Sequence, residues 1–125
     1  MSVQGMNHFT VLSDDLEATK KFYCDLLGFE VGARPNFQFP GYWLWVGDQP
    51  ILHVIHRKQL NEVRAGVIDH MAFSASDVKG VKARFDAASV KYDLRRQKDS
   101  GIWQLFTYDP NGAKVELDFD PAESL

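Results

Sequence analysis

Apolar and polar residues alternate in two stretches that repeat each other, GMNHFTVLSDDL (5–16) and GVIDHMAFSASDV (66–78). In each stretch a histidine opens the alternating run, and such a run predicts a half-buried strand. Serine and aspartate residues suited to a helix N-cap follow directly, and apolar residues at helical spacing come next. Each stretch therefore predicts a strand that leads into a helix.

The two stretches align at a constant offset of 62 residues. The aligned pairs are His8 with His70, Asp15 with Asp77, Leu16 with Val78, and Tyr23 with Phe85. After each helix the pattern returns to strands separated by Pro, Gly and Asn turns, and YDPNGAKVEL predicts a hairpin. The chain is thus predicted to be an internal duplication of a β-α-β-β-β unit.

These patterns predict one domain over residues 1–125, with module one at 5–56, a polar linker at 57–66 and module two at 67–120. A chain of 125 residues has the usual size of a single compact domain. The last residues, DPAESL, are predicted to fray.

Composition and charge argue against several classes of function. The net charge is −3 and the basic residues are scattered, which argues against a nucleic-acid partner. No apolar run approaches the ~20 residues that span a bilayer, and the N-terminus lacks a signal-peptide pattern, so we expect a cytoplasmic protein without a membrane partner. The single cysteine, Cys24, excludes an internal disulfide.

Four potential metal ligands recur at matched distances. His53 follows His8 after 45 residues, and Glu116 follows His70 after 46. Each half would therefore supply one residue from its first strand and one from its last. Imidazole and carboxylate together suit divalent Zn, Fe, Ni or Mn, so the set predicts one divalent metal ion.

Strand phase supports this interpretation. In ILHVIH, His53 lies on the face of Ile51 and Ile55, while Leu52 and Val54 point the other way. In KVELDF, Glu116 shares its face with Lys114 and Asp118. The competing interpretation is that each histidine is a hydrogen-bonded structural residue and Glu116 a solvated one. His56 falls on the opposite face from His53, and we predict a structural role for it.

Over nearly the whole chain, the stretches NHFTVLSDDLEATKKFYCDLLGFEV, IDHMAFSASDV and YDPNGAKVEL resemble the vicinal oxygen chelate superfamily. This group includes glyoxalase I, bleomycin resistance proteins, fosfomycin resistance proteins, epimerases and extradiol dioxygenases. The resemblance implies an α+β fold in which two βαβββ modules form a curled eight-stranded mixed sheet around a central cleft, with the helices outside.

The resemblance also implies a metal centre whose ligands match His8, His53, His70 and Glu116. It implies a lyase, isomerase or epimerase whose substrate chelates the metal through adjacent oxygens, with proton transfer through a metal-stabilised enediolate. Glu116 is the candidate base, with a metal-bound water as the alternative. The substrate-binding candidates are Gln104, Phe106, Trp43 and Trp45; core packing is the competing interpretation for the two tryptophans.

Departures from individual subfamilies narrow the reaction. Extradiol dioxygenases and fosfomycin thiol transferases carry a tyrosine where this chain has Phe106, and the thiol transferases add an arginine beyond the last ligand. Glyoxalase I enzymes place an arginine and an asparagine at the positions of Leu12 and Arg57 to contact glutathione. Ring cleavage, thiol transfer and glutathione substrates are therefore less favoured.

A second class of function is a metal-free binding protein, since bleomycin resistance relatives sequester a drug in the same fold. Those relatives generally lack the ligand set, so the four ligand positions favour an enzyme. The resemblance implies a homodimer, and the site could lie within one chain or be shared between two.

Overall fold

The computed structural model describes residue 2 and residues 4–125. Along these residues the chain forms two copies of the order β-α-β-β-β. The elements are β1 (Phe9–Ser13), α1 (Leu16–Lys20) with a π-helical continuation (Lys21–Leu26), β2 (Glu30–Gly32), β3 (Gly41–Val46), β4 (Gln49–His56), β5 (Met71–Ala75), α2 (Val78–Ala87), β6 (Tyr92–Arg96), β7 (Trp103–Tyr108) and β8 (Lys114–Phe119). The predicted duplication of a βαβββ module is confirmed.

The strands are hydrogen-bonded as two four-stranded sheets, in the orders β1-β4-β3-β2 and β5-β8-β7-β6. In each sheet the first and last strands of the module pair in parallel, and the other neighbours pair antiparallel. The predicted α+β class with mixed sheets is therefore confirmed. The chain divides into two compact units, one ending at Asn61 and the other beginning at Glu62, and this boundary falls inside the predicted linker.

Equivalent residues of the two modules have the same structural roles. Asp15 accepts a hydrogen bond from the Ala18 amide at 3.0 Å, and Asp77 accepts one from the Gly80 amide at 3.1 Å, so both are N-caps. Tyr23 and Phe85 are both fully buried, each on the helix of its own module. Both aligned aromatic positions are thus part of the buried core.

The C-terminal residues are held in place, so the prediction of a frayed tail was wrong. The carboxylate of Glu123 accepts a hydrogen bond from the Val78 amide at 2.7 Å, at the start of α2. Its backbone carbonyl accepts one from the Trp103 indole at 2.8 Å. The Val78 amide is open to the Glu123 carboxylate because the first amides of a helix lack partners within the helix.

No helix in the part of the chain that the structure describes has the length and apolarity needed to cross a membrane. The cytoplasmic location stays a prediction.

Candidate functional site

Module two brings His70 and Glu116 together. Ala72 on β5 lies opposite Glu116 on β8, so His70, two residues before Ala72, shares the face of Glu116. His70 Nε2 lies 2.7 Å from Glu116 Oε2, and the Glu116 side chain is only 9% exposed. The other ring nitrogen of His70, Nδ1, lies 2.7 Å from Asp69 Oδ2. The ring of His70 is therefore held between two carboxylates.

Gln104 and Phe106 line the same face of module two. Both lie on β7, with Phe106 opposite Glu116 and Gln104 opposite Asp118. Gln104 Nε2 donates a hydrogen bond to Glu116 Oε1 at 2.8 Å. The ring of Phe106 meets that of His70 edge to face, with 6.1 Å between centroids. Both predicted residues thus contact the His70–Glu116 pair.

Asp118 adds a second carboxylate that the ligand pattern did not select. Its Oδ1 is buried without a hydrogen-bond partner among the described residues. Burial, followed by the neighbouring Glu116 carboxylate, raises the pKa of Asp118. The signal for it in the sequence was the alternation of KVELDF, which places Asp118 on the face of Glu116.

Module one brings His8 and His53 together by the equivalent register. Thr10 lies opposite His53, so His8 again precedes the register position by two residues. The two imidazole rings stack, with centroids 3.8 Å apart and planes 17° from parallel. Burial, followed by the charge of His8, lowers the pKa of His53, which favours the neutral imidazole.

Of the two predicted tryptophans, Trp43 joins this pair and Trp45 is held elsewhere. Trp43 lies opposite His53 and stacks on it, with centroids 3.9 Å apart and planes 6° from parallel. The indole nitrogen of Trp45 donates to the Ala33 carbonyl at 3.1 Å, and its ring lies against Gly32. The ring of Phe37 lies beside Trp43, with 6.2 Å between centroids and planes tilted by 51°.

The donor types in these pairs suit a divalent metal, although the described residues include no group of three or more His, Cys, Asp or Glu side chains arranged to bind one ion. Two ligand atoms on a tetrahedral Zn²⁺ are about 3.3 Å apart, so His70 Nε2 and Glu116 Oε2, now at the hydrogen-bond distance of 2.7 Å, would separate slightly to bind one ion. The stacked rings of His8 and His53 differ from this. A ligating nitrogen points within its ring plane, so one of the two rings would have to turn before both could bind one ion.

The chain matches the Glyoxalase/Bleomycin resistance protein/Dioxygenase superfamily over residues 5–117. It belongs to this superfamily. The resemblance found in the sequence is therefore confirmed.

Two curated proteins are similar along most of this chain. Glyoxylase I 4 of Arabidopsis thaliana is 24% identical, with 94% of this chain and 71% of the relative covered. Glutathione transferase FosA of Serratia marcescens is 29% identical, with 92% of this chain and 80% of the relative covered.

The fold is also that of a solved fosfomycin resistance protein. A variant of the genomically encoded fosfomycin resistance protein FosX from Listeria monocytogenes, complexed with Mn(II) and 1S,2S-dihydroxypropylphosphonic acid, superposes with a TM-score of 0.75. It is 17% identical, and the comparison covers 94% of this chain and 93% of that one. At this identity the likeness establishes the shared fold.

Proposed function

We propose that the chain is a metal-dependent lyase, isomerase or epimerase of the glyoxalase superfamily, acting on a small substrate with two adjacent oxygens. The observation that carries this proposal is the buried Glu116 carboxylate, which lies 2.7 Å from His70 Nε2 on a sheet face that also carries Gln104. The Mn(II) complex of FosX with a dihydroxy compound supports it by analogy.

In this proposal His8, His53, His70 and Glu116 hold one divalent ion, with Zn, Ni, Fe and Mn as the candidates. When bound, the ion would act as a Lewis acid that stabilises negative charge on the substrate oxygens. Glu116 is the proposed base that moves the proton. Gln104 would hold Glu116 Oε1 through its amide, which leaves Oε2 as the oxygen facing His70.

The aromatic residues next to the histidines would form the wall against the substrate. Phe106 lies beside His70 and Trp43 covers a face of His53, so both are proposed substrate contacts. We leave Trp45 out of the proposed site because its indole is bonded to the Ala33 carbonyl.

The first test is the divalent metal content per chain of untagged protein prepared without chelators. Wild type should hold about one transition metal, and His70→Ala and Glu116→Ala should lose it because each removes a donor. His56→Ala is the matched histidine control and should keep the metal. Equal retention in all three variants would refute the ligand assignment, and a wild-type chain that takes up no Zn, Ni, Mn or Fe would favour the metal-free binding class.

Thiol transfer is the second candidate reaction, and the 29% identity to a glutathione transferase favours it. Phe106 stands where the thiol transferases have a tyrosine, which argues the other way. The metal-loaded protein should be offered an epoxide with and without glutathione. Glutathione-dependent loss of the epoxide would assign thiol transfer in place of proton transfer.

We also propose a homodimer. Apolar side chains stay exposed in the segments before β1 and β5, namely Met6 (75%), Val67 (106%) and Ile68 (70%). Sedimentation velocity should give a mass of two chains, and Ile68→Asp should lower it towards one by placing a charge in the interface. A wild-type monomer at tens of micromolar would contradict the proposal.

A further inference from the structure

The residue directly before each of the two repeated histidines forms a hydrogen bond to its ring. Asn7 Oδ1 lies 2.7 Å from His8 Nδ1. Asp69 Oδ2 lies 2.7 Å from His70 Nδ1. Asn7 and Asp69 are separated by the same offset of 62 residues as the histidines. The contact is therefore part of the duplicated unit, made by an amide in one module and a carboxylate in the other.

These contacts decide which ring nitrogen carries a proton. A carboxylate oxygen and an amide oxygen only accept hydrogen bonds, so Nδ1 must be the donor in both modules. The nitrogen left for a metal is then Nε2 in both histidines. In module two Nε2 also lies 2.7 Å from Glu116 Oε2, which only accepts, so without metal it donates its proton to Glu116, and an ion bound there would displace that proton to solvent.

In His53 it is Nε2, and not Nδ1, that contacts a protein oxygen. Its Nε2 lies 3.0 Å from the Pro50 carbonyl oxygen, which only accepts, so Nδ1 is left for a metal. In all three candidate histidine ligands, the ring nitrogen that is not the proposed ligand atom is thus hydrogen-bonded to a protein oxygen. In metal sites this outer contact fixes the tautomer and orientation of the ring.

We propose that Asn7 and Asp69 are positioning residues that hold His8 and His70 with the proton on Nδ1 and Nε2 directed at the metal. This inference rests on the proposed metal site. Both residues act through the histidines, and the requirement is a side-chain oxygen that accepts a hydrogen bond from Nδ1. An amide and a carboxylate are therefore expected to replace each other.

The test is the Zn²⁺ affinity of the full chain, measured by competition with a chromophoric chelator. Asn7→Ala and Asp69→Ala should each weaken Zn²⁺ binding by roughly 10- to 100-fold, the usual effect of losing such a contact. Asn7→Asp and Asp69→Asn should keep most of the affinity because they keep the acceptor oxygen.

The controls separate positioning from charge and from folding. Asp93→Ala removes an exposed carboxylate of the same module, one paired with Arg95 at 3.2 Å, and should leave the affinity unchanged. Asn61→Ala, at an exposed site, is the control for Asn7→Ala. Asp69 is 71% exposed in its side chain, so its replacement removes no core contact, and circular dichroism checks the fold of every variant.

Long-range ¹H–¹⁵N spectra of histidine-labelled, Zn²⁺-loaded protein give a readout of the ring itself. His8 and His70 should carry the proton on Nδ1 and bind through Nε2, and His53 should bind through Nδ1. Binding of His8 or His70 through Nδ1 would overturn the inference.

The outcomes also distinguish this inference from the proposed metal site. If Asp69→Asn binds Zn²⁺ as weakly as Asp69→Ala does, Asp69 contributes to the affinity through its charge, and the positioning role is wrong. If His70→Ala and Glu116→Ala weaken Zn²⁺ binding but Asn7→Ala and Asp69→Ala do not, the inference fails alone. If His70→Ala and Glu116→Ala bind as wild type, the metal site itself fails.

Discussion

At the residue scale, the two carboxylates of β8 lie in different surroundings. Glu116 has Gln104 as a donor at 2.8 Å and His70 at 2.7 Å, and both partners can stabilise its charge. Asp118, two residues further along the same face, has one oxygen buried without a hydrogen-bond partner among the described residues. Asp118 also interacts with Gln104 and Glu116, so the two carboxylates differ in the contact of Glu116 with His70 and in the unpartnered Oδ1 of Asp118.

Asp118→Asn should stabilise the metal-free protein at neutral pH, by on the order of 1 kcal/mol, because it removes a charge from a buried and under-bonded position. The pKa of Asp118 is raised in the folded protein, so its ionised form costs stability above that raised pKa and costs nothing below its ordinary value. The advantage of the asparagine should therefore shrink as the pH falls. Urea unfolding at pH 7.5 and at pH 4 measures this.

Asp93→Asn is the matched control, since Asp93 is an exposed carboxylate on β6. It should change the free energy of unfolding by much less than Asp118→Asn at either pH. A loss of stability in Asp118→Asn at pH 7.5 would show that the carboxylate is favourable where it lies.

At the element scale, each module joins its first and last strands in parallel, and this pairing brings each histidine to its partner. The pairs Thr10–His53 and Ala72–Glu116 occupy the same register position. The modules differ at the neighbouring position, where Gln104 on β7 faces Asp118 and Gly41 on β3 faces Ile55. An amide at this point of the sheet is thus a feature of module two.

The N-caps are also equivalent at the element scale. Asp15→Ala and Asp77→Ala should each lower the free energy of unfolding by about 1 kcal/mol, because each removes the acceptor for an unpaired helix amide. The neighbouring Asp14→Ala removes the same charge at an exposed position and should cost much less. Chemical denaturation of the three variants checks this, and an equal cost for all three would assign the effect to charge rather than to capping.

At the scale of the whole molecule, the prediction of a single domain implies that the chain unfolds cooperatively. The chain divides into two compact units, each with its own sheet. One domain should unfold in one transition, whereas two independent units would unfold separately.

The three tryptophans allow a direct test, because Trp43 and Trp45 lie in module one and Trp103 lies in module two. Trp103→Phe leaves fluorescence from module one, and the double variant Trp43→Phe, Trp45→Phe leaves fluorescence from module two. In each variant the urea midpoint from fluorescence should coincide with that from circular dichroism. Midpoints that differ by more than the fitting error would contradict a single cooperative domain.

The tertiary structure differed from the sequence-based expectation in two places that local pattern does not determine. Alternation along GYWLWV puts Trp43 and Trp45 on one face, yet only Trp43 stacks on His53 because it is the residue that the register places opposite. The polar tail DPAESL is predicted to fray, yet Glu123 accepts a hydrogen bond from the first residue of α2. The partner of a polar group in another strand or helix is not encoded in the periodicity of its own segment.

The sequence by itself determined the duplication, the βαβββ order, the helix caps and the face on which each candidate ligand lies. These follow from local periodicity and capping chemistry, which act within a few residues. Only the tertiary structure decided which side chains meet, which protein oxygens the ring nitrogens of His8, His53 and His70 contact, and that Asp118 Oδ1 is left without a hydrogen-bond partner among the described residues. These depend on the register between strands far apart in the chain and on side-chain rotation, and neither is fixed by the alternation of apolar and polar residues.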